Sequence, residues 1–210
     1  MKQLTAVIVL LGLPGCGLIP HREPPKTDFD LGPPATNTRQ PASSARAGVR
    51  IYDITAPAWI DNSSMYYRLV YRESASPLPY ARSEWVMSPA ALLTERLRAS
   101  LSDSGDGEMR QVGARTTGVY ALRAELAEFE QVFDHPGNSH GVIRLRATLE
   151  GEDIRIQRTF VIEKPARSAD AAGGVRALME CSDELAESIA EWLETAQSNT
   201  RALESASTVR

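Results

Sequence analysis

Apolar residues recur along the chain with two different periods, and the switches between them outline its elements. Val49 to Thr55 and Met65 to Tyr71 are rich in β-branched and aromatic residues and read as strands. A loop holding Pro57, Trp59 and the turn-like Asp61-Asn62-Ser63-Ser64 separates them. Ser88 followed by Pro89 supplies an N-cap and a first-turn proline, and Leu93, Leu97 and Leu101 fall on one face, so a helix is predicted up to about Ser102, where Asp103, Gly105, Asp106 and Gly107 end it. Ile143, Leu145, Ala147 and Leu149 then alternate with Arg144, Arg146 and Thr148; Gly151 opens a turn, and Ile154, Ile156, Phe160 and Ile162 resume, which predicts a hairpin with one apolar face. The last element is a helix from a Ser168 cap to about Ala196, with Ala171, Val175, Leu178, Leu185, Ile189 and Trp192 at helical spacing. Its other face carries Glu180, Asp183, Glu184, Glu187, Glu191 and Glu194 and reads as solvated; residues after Gln197 are polar and expected to fray.

Two stretches resist this scheme. In residues 119–133 Leu122, Leu126, Phe129 and Phe133 are spaced like a helix among Ala and Glu, so periodicity alone predicts a helix there. In Asp28-Phe29-Asp30-Leu31 apolar residues alternate with carboxylates, as in a short strand. A sheet with one apolar face needs a cover, and two amphipathic helices supply one, so the expected fold is α+β: an antiparallel or mixed sheet with two helices on one face. Arg123, Arg144, Arg146 and Arg155 fall on its polar face, where cross-strand pairing with neighbours such as Glu125 is the expected role. Trp59, Tyr66, Tyr67 and Tyr71 are expected in the core rather than in an exposed patch.

The amino-terminal segment changes where this domain is expected to work. Met1-Lys2 is a short positive start, and the apolar run Leu4 to Leu13 is about ten residues, half the roughly twenty needed to cross a bilayer. It suits the apolar region of a signal peptide. Leu13-Pro14-Gly15-Cys16 resembles the lipobox of bacterial lipoproteins, with Pro14 an unusual middle residue. That resemblance implies cleavage after Gly15 and acyl chains on Cys16, the only prosthetic group expected, and Gly17 in place of Asp implies outer-membrane sorting, periplasmic face. Several acyl chains hold a protein essentially for good. The expected organisation is signal peptide 1–15, tether 16–26, domain 27–197 and polar tail 198–210, with prolines at 20, 24, 25, 33, 34 and 41 marking tether and loop.

The chain carries 23 Lys and Arg against 27 Asp and Glu; loss of Lys2 with the signal peptide leaves 22 and a net charge of −5, which gives no basic surface for nucleic acid. With two cysteines and Cys16 committed to lipid, Cys181 has no disulfide partner within the chain and is expected as a buried small hydrophobe. Candidate chemistry crowds only in Asp134-His135-Pro136-Gly137-Asn138-Ser139-His140. Zinc needs three or four converging ligands, and a Ser-His-Asp triad draws on separate elements, whereas Ser139 and His140 are neighbours. Turn chemistry explains the composition more simply. Glycine-rich phosphate loops, CxxC, HExxH and GxSxG are absent, which leaves no catalytic, cofactor or metal residue to assign.

Several segments together resemble one family: Ala56-Pro57-Ala58-Trp59-Ile60-Asp61 with Tyr66-Tyr67-Arg68-Leu69; Tyr80-Ala81-Arg82-Ser83-Glu84-Trp85 leading into Pro89-Ala90-Ala91-Leu92-Leu93; Glu128-Phe129-Glu130-Gln131-Val132-Phe133-Asp134; Gln157-Arg158-Thr159-Phe160; and Ser168-Ala169-Asp170-Ala171-Ala172-Gly173-Gly174-Val175. They are similar to the ABC-type transport auxiliary lipoproteins, the PqiC-like outer-membrane lipoproteins, from about Phe29 to Leu193. The resemblance implies a non-enzymatic α+β domain that assists a lipid transporter built from an ATPase, a permease and an MCE-domain partner, and that self-associates into a ring. It also implies that residues 119–133 form a strand, and that expectation is preferred over the helical one. Two other function classes remain beside it: a stand-alone carrier holding a lipid between sheet and helices, and an envelope hydrolase using the loop around His135 and His140.

Overall fold

The computed structural model describes residues 25–34, 49–101, 120–151 and 154–208. The signal peptide, the Gly15–Cys16 site, most of the tether and the turn expected at Asp103 to Gly107 lie outside the described residues. The elements are β1 (Thr27–Phe29), β2 (Val49–Ile51), β3 (Ser64–Leu69), β4 (Glu73–Trp85), α1 (Pro89–Leu101), β5 (Tyr120–His135), β6 (Asn138–Glu150), β7 (Arg155–Pro165) and α2 (Ala171–Thr208). The fold is the expected α+β one: a seven-stranded mixed sheet ordered β1-β4-β3-β5-β6-β7, with β2 also on β5.

β5 organises the sheet. One edge pairs antiparallel with β6, from Ala121 opposite Glu150 to His135 opposite Asn138. The other edge takes two parallel strands end to end, β2 against Tyr120–Leu122 and β3 against Gln131–Phe133, with Thr55 bridging to Glu125 between them. β5 is a strand, and its helix-like spacing has a physical origin. The register slips between Leu126 and Glu128, so the exposed Ala127 is an extra residue in a β-bulge. Inward positions are therefore Leu122 and Leu126 before the bulge and Phe129 and Phe133 after it, all buried. A strand with one inserted residue thus imitates the 3.6-residue period.

β4, thirteen residues long, has no counterpart among the strands expected from the sequence. Pro77 and Pro79 argue against a central strand. β4 tolerates them because β1 covers only Ser83–Trp85, and among the described residues no strand pairs with the rest of that edge. Proline nitrogens two residues apart both point to the same side, and an open side asks for no donor.

The helices pack on the sheet's apolar face. α1 starts where expected: Ser88 Oγ accepts from the Ala91 N–H at 3.4 Å and Ser88 O from the Leu92 N–H at 3.0 Å. Leu93 and Leu97 are buried beside Leu178, Leu185 and Ile189 of α2 and Leu145 and Leu149 of β6. Each such side chain contributes roughly 1.5–3 kcal/mol by leaving water. The α2 cap is Asp170 rather than Ser168: Asp170 Oδ1 accepts from the Gly173 N–H at 2.7 Å, while Ser168 donates its hydroxyl to the same carboxylate, also at 2.7 Å. α2 also runs on to Thr208, past the expected end near Ala196.

Candidate functional site

The polar loop singled out by sequence is the β5–β6 hairpin, whose tight turn is Pro136-Gly137 between paired His135 and Asn138. Ser139 and His140 are consecutive on β6 and point to opposite faces of the sheet. Ser139 is buried on the helix side, where its Oγ accepts from Gln131 Nε2 at 2.8 Å. His140, on the other side, faces Asp134 at 3.1 Å. The serine and imidazole thus do not meet. Among the described residues no three of His, Cys, Asp and Glu are grouped to hold a metal ion.

Beneath this turn lies a buried polar chain. The Tyr80 hydroxyl donates to Gln131 Oε1 at 2.8 Å, and Gln131 donates onward to Ser139. Burial, reinforced by the neighbouring Tyr67 and Asp170, pushes the Tyr80 phenol well above its ordinary value, so it stays a donor. Gly174 explains part of the Ser168-to-Val175 motif: a Cβ there would sit 2.1 Å from Gln131 Oε1, and one at Gly173 would sit 2.0 Å from Ser168 O. Bare backbone lets the start of α2 close onto β5.

The face of the sheet turned from the helices carries the expected ladder: Arg144 to Glu128 at 3.1 Å, Arg146 to Glu125 at 3.8 Å, and Arg123 and Arg155 both to Glu150 at 3.2 and 3.5 Å. Arg123 also lies over the Tyr52 ring, 4.1 Å from its centre. The Arg68–Glu130 pair, at 2.7 Å, with Glu130 buried and Arg68 half-buried, escaped sequence reading. Burial lifts the Glu130 carboxyl above the usual range, and Arg68 opposes that lift. Arg96 of α1, also buried, was missed too; it pairs with Asp183 at 2.6 Å and donates to the carbonyls of Leu31 and Gly32, pinning the segment after β1 to both helices.

Cys181 is fully buried on α2 with its Sγ 3.4 Å from Gly141 O, and burial pushes its thiol up to about 12. The aromatics are a partial correction. Tyr66 and Tyr67 are half-buried, but Trp59, stacked edge-on against Tyr66, and Tyr71 are exposed at 40% and 41%. Tyr71 sits with Val70 at the tip of the β3–β4 hairpin, beside a shallow cleft of about 220 Å³ lined by Leu69, Arg72, Glu73, Ser76 and Leu78.

The architecture that emerges is a one-layer sheet with two covering helices, whose polar residues serve mostly to lock elements together. Family comparison agrees: the model of the ABC-type transport auxiliary lipoprotein component matches residues 29–190. This chain belongs to that family. Two solved structures share the fold. One is a protein of Xanthomonas campestris, 18% identical over 84% of this chain and 91% of its own, with a TM-score of 0.60. The other is an uncharacterized protein, 13% identical over 81% of this chain and 99% of its own, also at 0.60. No curated protein sequence matches the chain.

Proposed function

We propose that this protein is the lipid-anchored, non-catalytic auxiliary subunit of an MCE/ABC-type lipid transport system. After cleavage behind Gly15, acyl chains on Cys16 hold it on the periplasmic face of the outer membrane, and its domain docks on the MCE-domain partner, where copies of it assemble. The single observation that carries this reading is the family match over residues 29–190, joined by the lipobox-like Leu13-Pro14-Gly15-Cys16 ahead of it. The arrangement of side chains supports a holding role. Ser139 and His140 face apart, and among the described residues a continuous cluster of buried apolar side chains lies between sheet and helices. The cleft at the hairpin tip, about 220 Å³, is below the roughly 300–1,000 Å³ of ordinary ligand pockets, so the carrier reading gains no support from it. Affinity purification of the intact protein from membranes is expected to recover the MCE subunit together with its permease and ATPase. Recovery of only unrelated envelope proteins overturns the reading.

A further inference from the structure

The direction in which the chain enters the domain bears on which end of the domain meets the membrane. β1 is parallel to β4, with Thr27 opposite Ser83 and Phe29 opposite Trp85, and Lys26 pairs with Glu84 at 2.7 Å. The segment arriving at Thr27 therefore comes from the side where β4 begins. That side is the β3–β4 hairpin tip, Val70-Tyr71-Arg72, followed at once by Glu73. Two register shifts fold extra residues into β4, so from Glu84 back to Glu73 the facing β3 advances only the five residues from Ser64 to Leu69, about 17 Å. Cys16 stands eleven residues before Thr27, a reach of at most about 36–40 Å, which is long enough for acyl chains on Cys16 to come level with the tip.

The tip has the composition of an interfacial contact. Val70 and Tyr71 are 39% and 41% exposed, and Leu69 and Leu78 line the cleft behind them. A tyrosine ring suits the boundary between acyl chains and headgroups, and the Arg72 guanidinium suits lipid phosphates. Asp134 and His135 end the neighbouring strand, and Glu73 is engaged by its own turn, accepting from the Ala75 N–H at 3.0 Å. α2 starts beside the tip end of the sheet and crosses the strands obliquely from there, Ala177 packing on Gly141 and Trp192 on Phe160, the partner of Leu145. Val86 and Met87, also exposed, follow the other end of β4, level with the middle of β5.

We propose that the β3–β4 hairpin tip seats in the headgroup layer of the bilayer that holds the acyl chains of Cys16, so that the domain stands on Val70, Tyr71 and Arg72 with the distal end of α2 directed away from the membrane. This rests on acylation of Cys16. Two exposed side chains bury too little area to bind a membrane alone; the anchor supplies attachment and the tip supplies orientation.

The test uses the acylated full-length protein in vesicles of phosphatidylethanolamine and phosphatidylglycerol, carrying an environment-sensitive dye at Tyr71→Cys or, in the control, Val86→Cys. Cys16 is blocked by acylation and Cys181 is buried, so only the introduced thiol takes the dye. The dye at position 71 is expected to shift to the blue and to be quenched several-fold more than that at 86 by headgroup-region nitroxide lipids. Equal quenching at both positions, or stronger quenching at 86, overturns the proposal. A tip that reads water on vesicles but becomes shielded once the transport partner is added marks a protein-docking surface and also overturns it. Protein that fails to float with the vesicles overturns the anchor itself, a separate failure from that of a floating protein with a wet tip.

Discussion

At the scale of single residues, the chain spends its buried polar groups on joining elements. Gln131 is held on both sides, by Tyr80 and Ser139, and has no room to retreat from a methyl at position 174. Gly174→Ala is expected to cost about 2–4 kcal/mol, through steric displacement and broken buried hydrogen bonds, and to lower the thermal midpoint measured by circular dichroism. An unchanged midpoint would show that the amide has slack the packing does not reveal. Arg68→Ala leaves Glu130 buried without its cation and should cost about 3 kcal/mol at neutral pH. The pH dependence has a definite sign. A carboxyl whose folded pKa is raised favours the folded state below its unfolded value, roughly 4.3, and loses that contribution as pH rises through the folded value. The Arg68→Ala penalty, relative to the parent, should therefore shrink from pH 7 toward pH 4 in denaturant melts, and Glu130→Gln in the same chain should flatten it. Cys181 is expected to resist a disulfide-exchange reagent at pH 8 until the chain is unfolded, because its thiol stays protonated up to about 12 and is shielded from solvent.

At the scale of elements, β5 is the informative case. Its Leu122, Leu126, Phe129 and Phe133 obey a helix rule because Ala127 interrupts a strand rule. Deleting Ala127 should restore plain alternation, keep all four residues inward, and leave a folded protein with a modest loss. Deleting Ala124 should instead turn Leu126 outward and cost about 3 kcal/mol more, on the scale of a large-to-small core change. Urea melts of the two deletions compare them directly, and the reverse order of stability would refute the bulge as the cause of the spacing. α1, the β6–β7 hairpin and most of α2 were legible in the sequence because each keeps one period throughout and is bounded by cap or turn residues. β4 was not, because what licenses Pro77 and Pro79 is the short reach of β1, a neighbour 56 residues away by the Phe29–Trp85 pairing.

For the whole molecule, the sheet's two edges and two faces divide the work. One face is closed by α1 and α2, while the other carries ion pairs that are each worth little at an exposed surface. Its β1 edge receives the chain from the tether, clamped by Arg96 through Leu31 and Gly32. On the proposed function, Cys16→Ser should release the protein into the soluble periplasmic fraction without altering the domain's thermal midpoint. Persistence of that variant in washed membranes would contradict an acyl anchor.

The sequence alone determined the fold class, the two helices, the β6–β7 hairpin, the burial of Cys181 and the family resemblance. Those features rest on local periodicity, capping chemistry and composition, which each segment carries within itself. Tertiary structure decided that β5 is bulged, that β4 exists, that Ser139 and His140 turn apart, and that Arg68 and Arg96 leave the surface to pair with Glu130 and Asp183. β4 and the two ion pairs depend on partners between 56 and 87 positions away, the bulge on its register against β6, and Ser139 and His140 on which face of a strand each takes, and no local pattern encodes these.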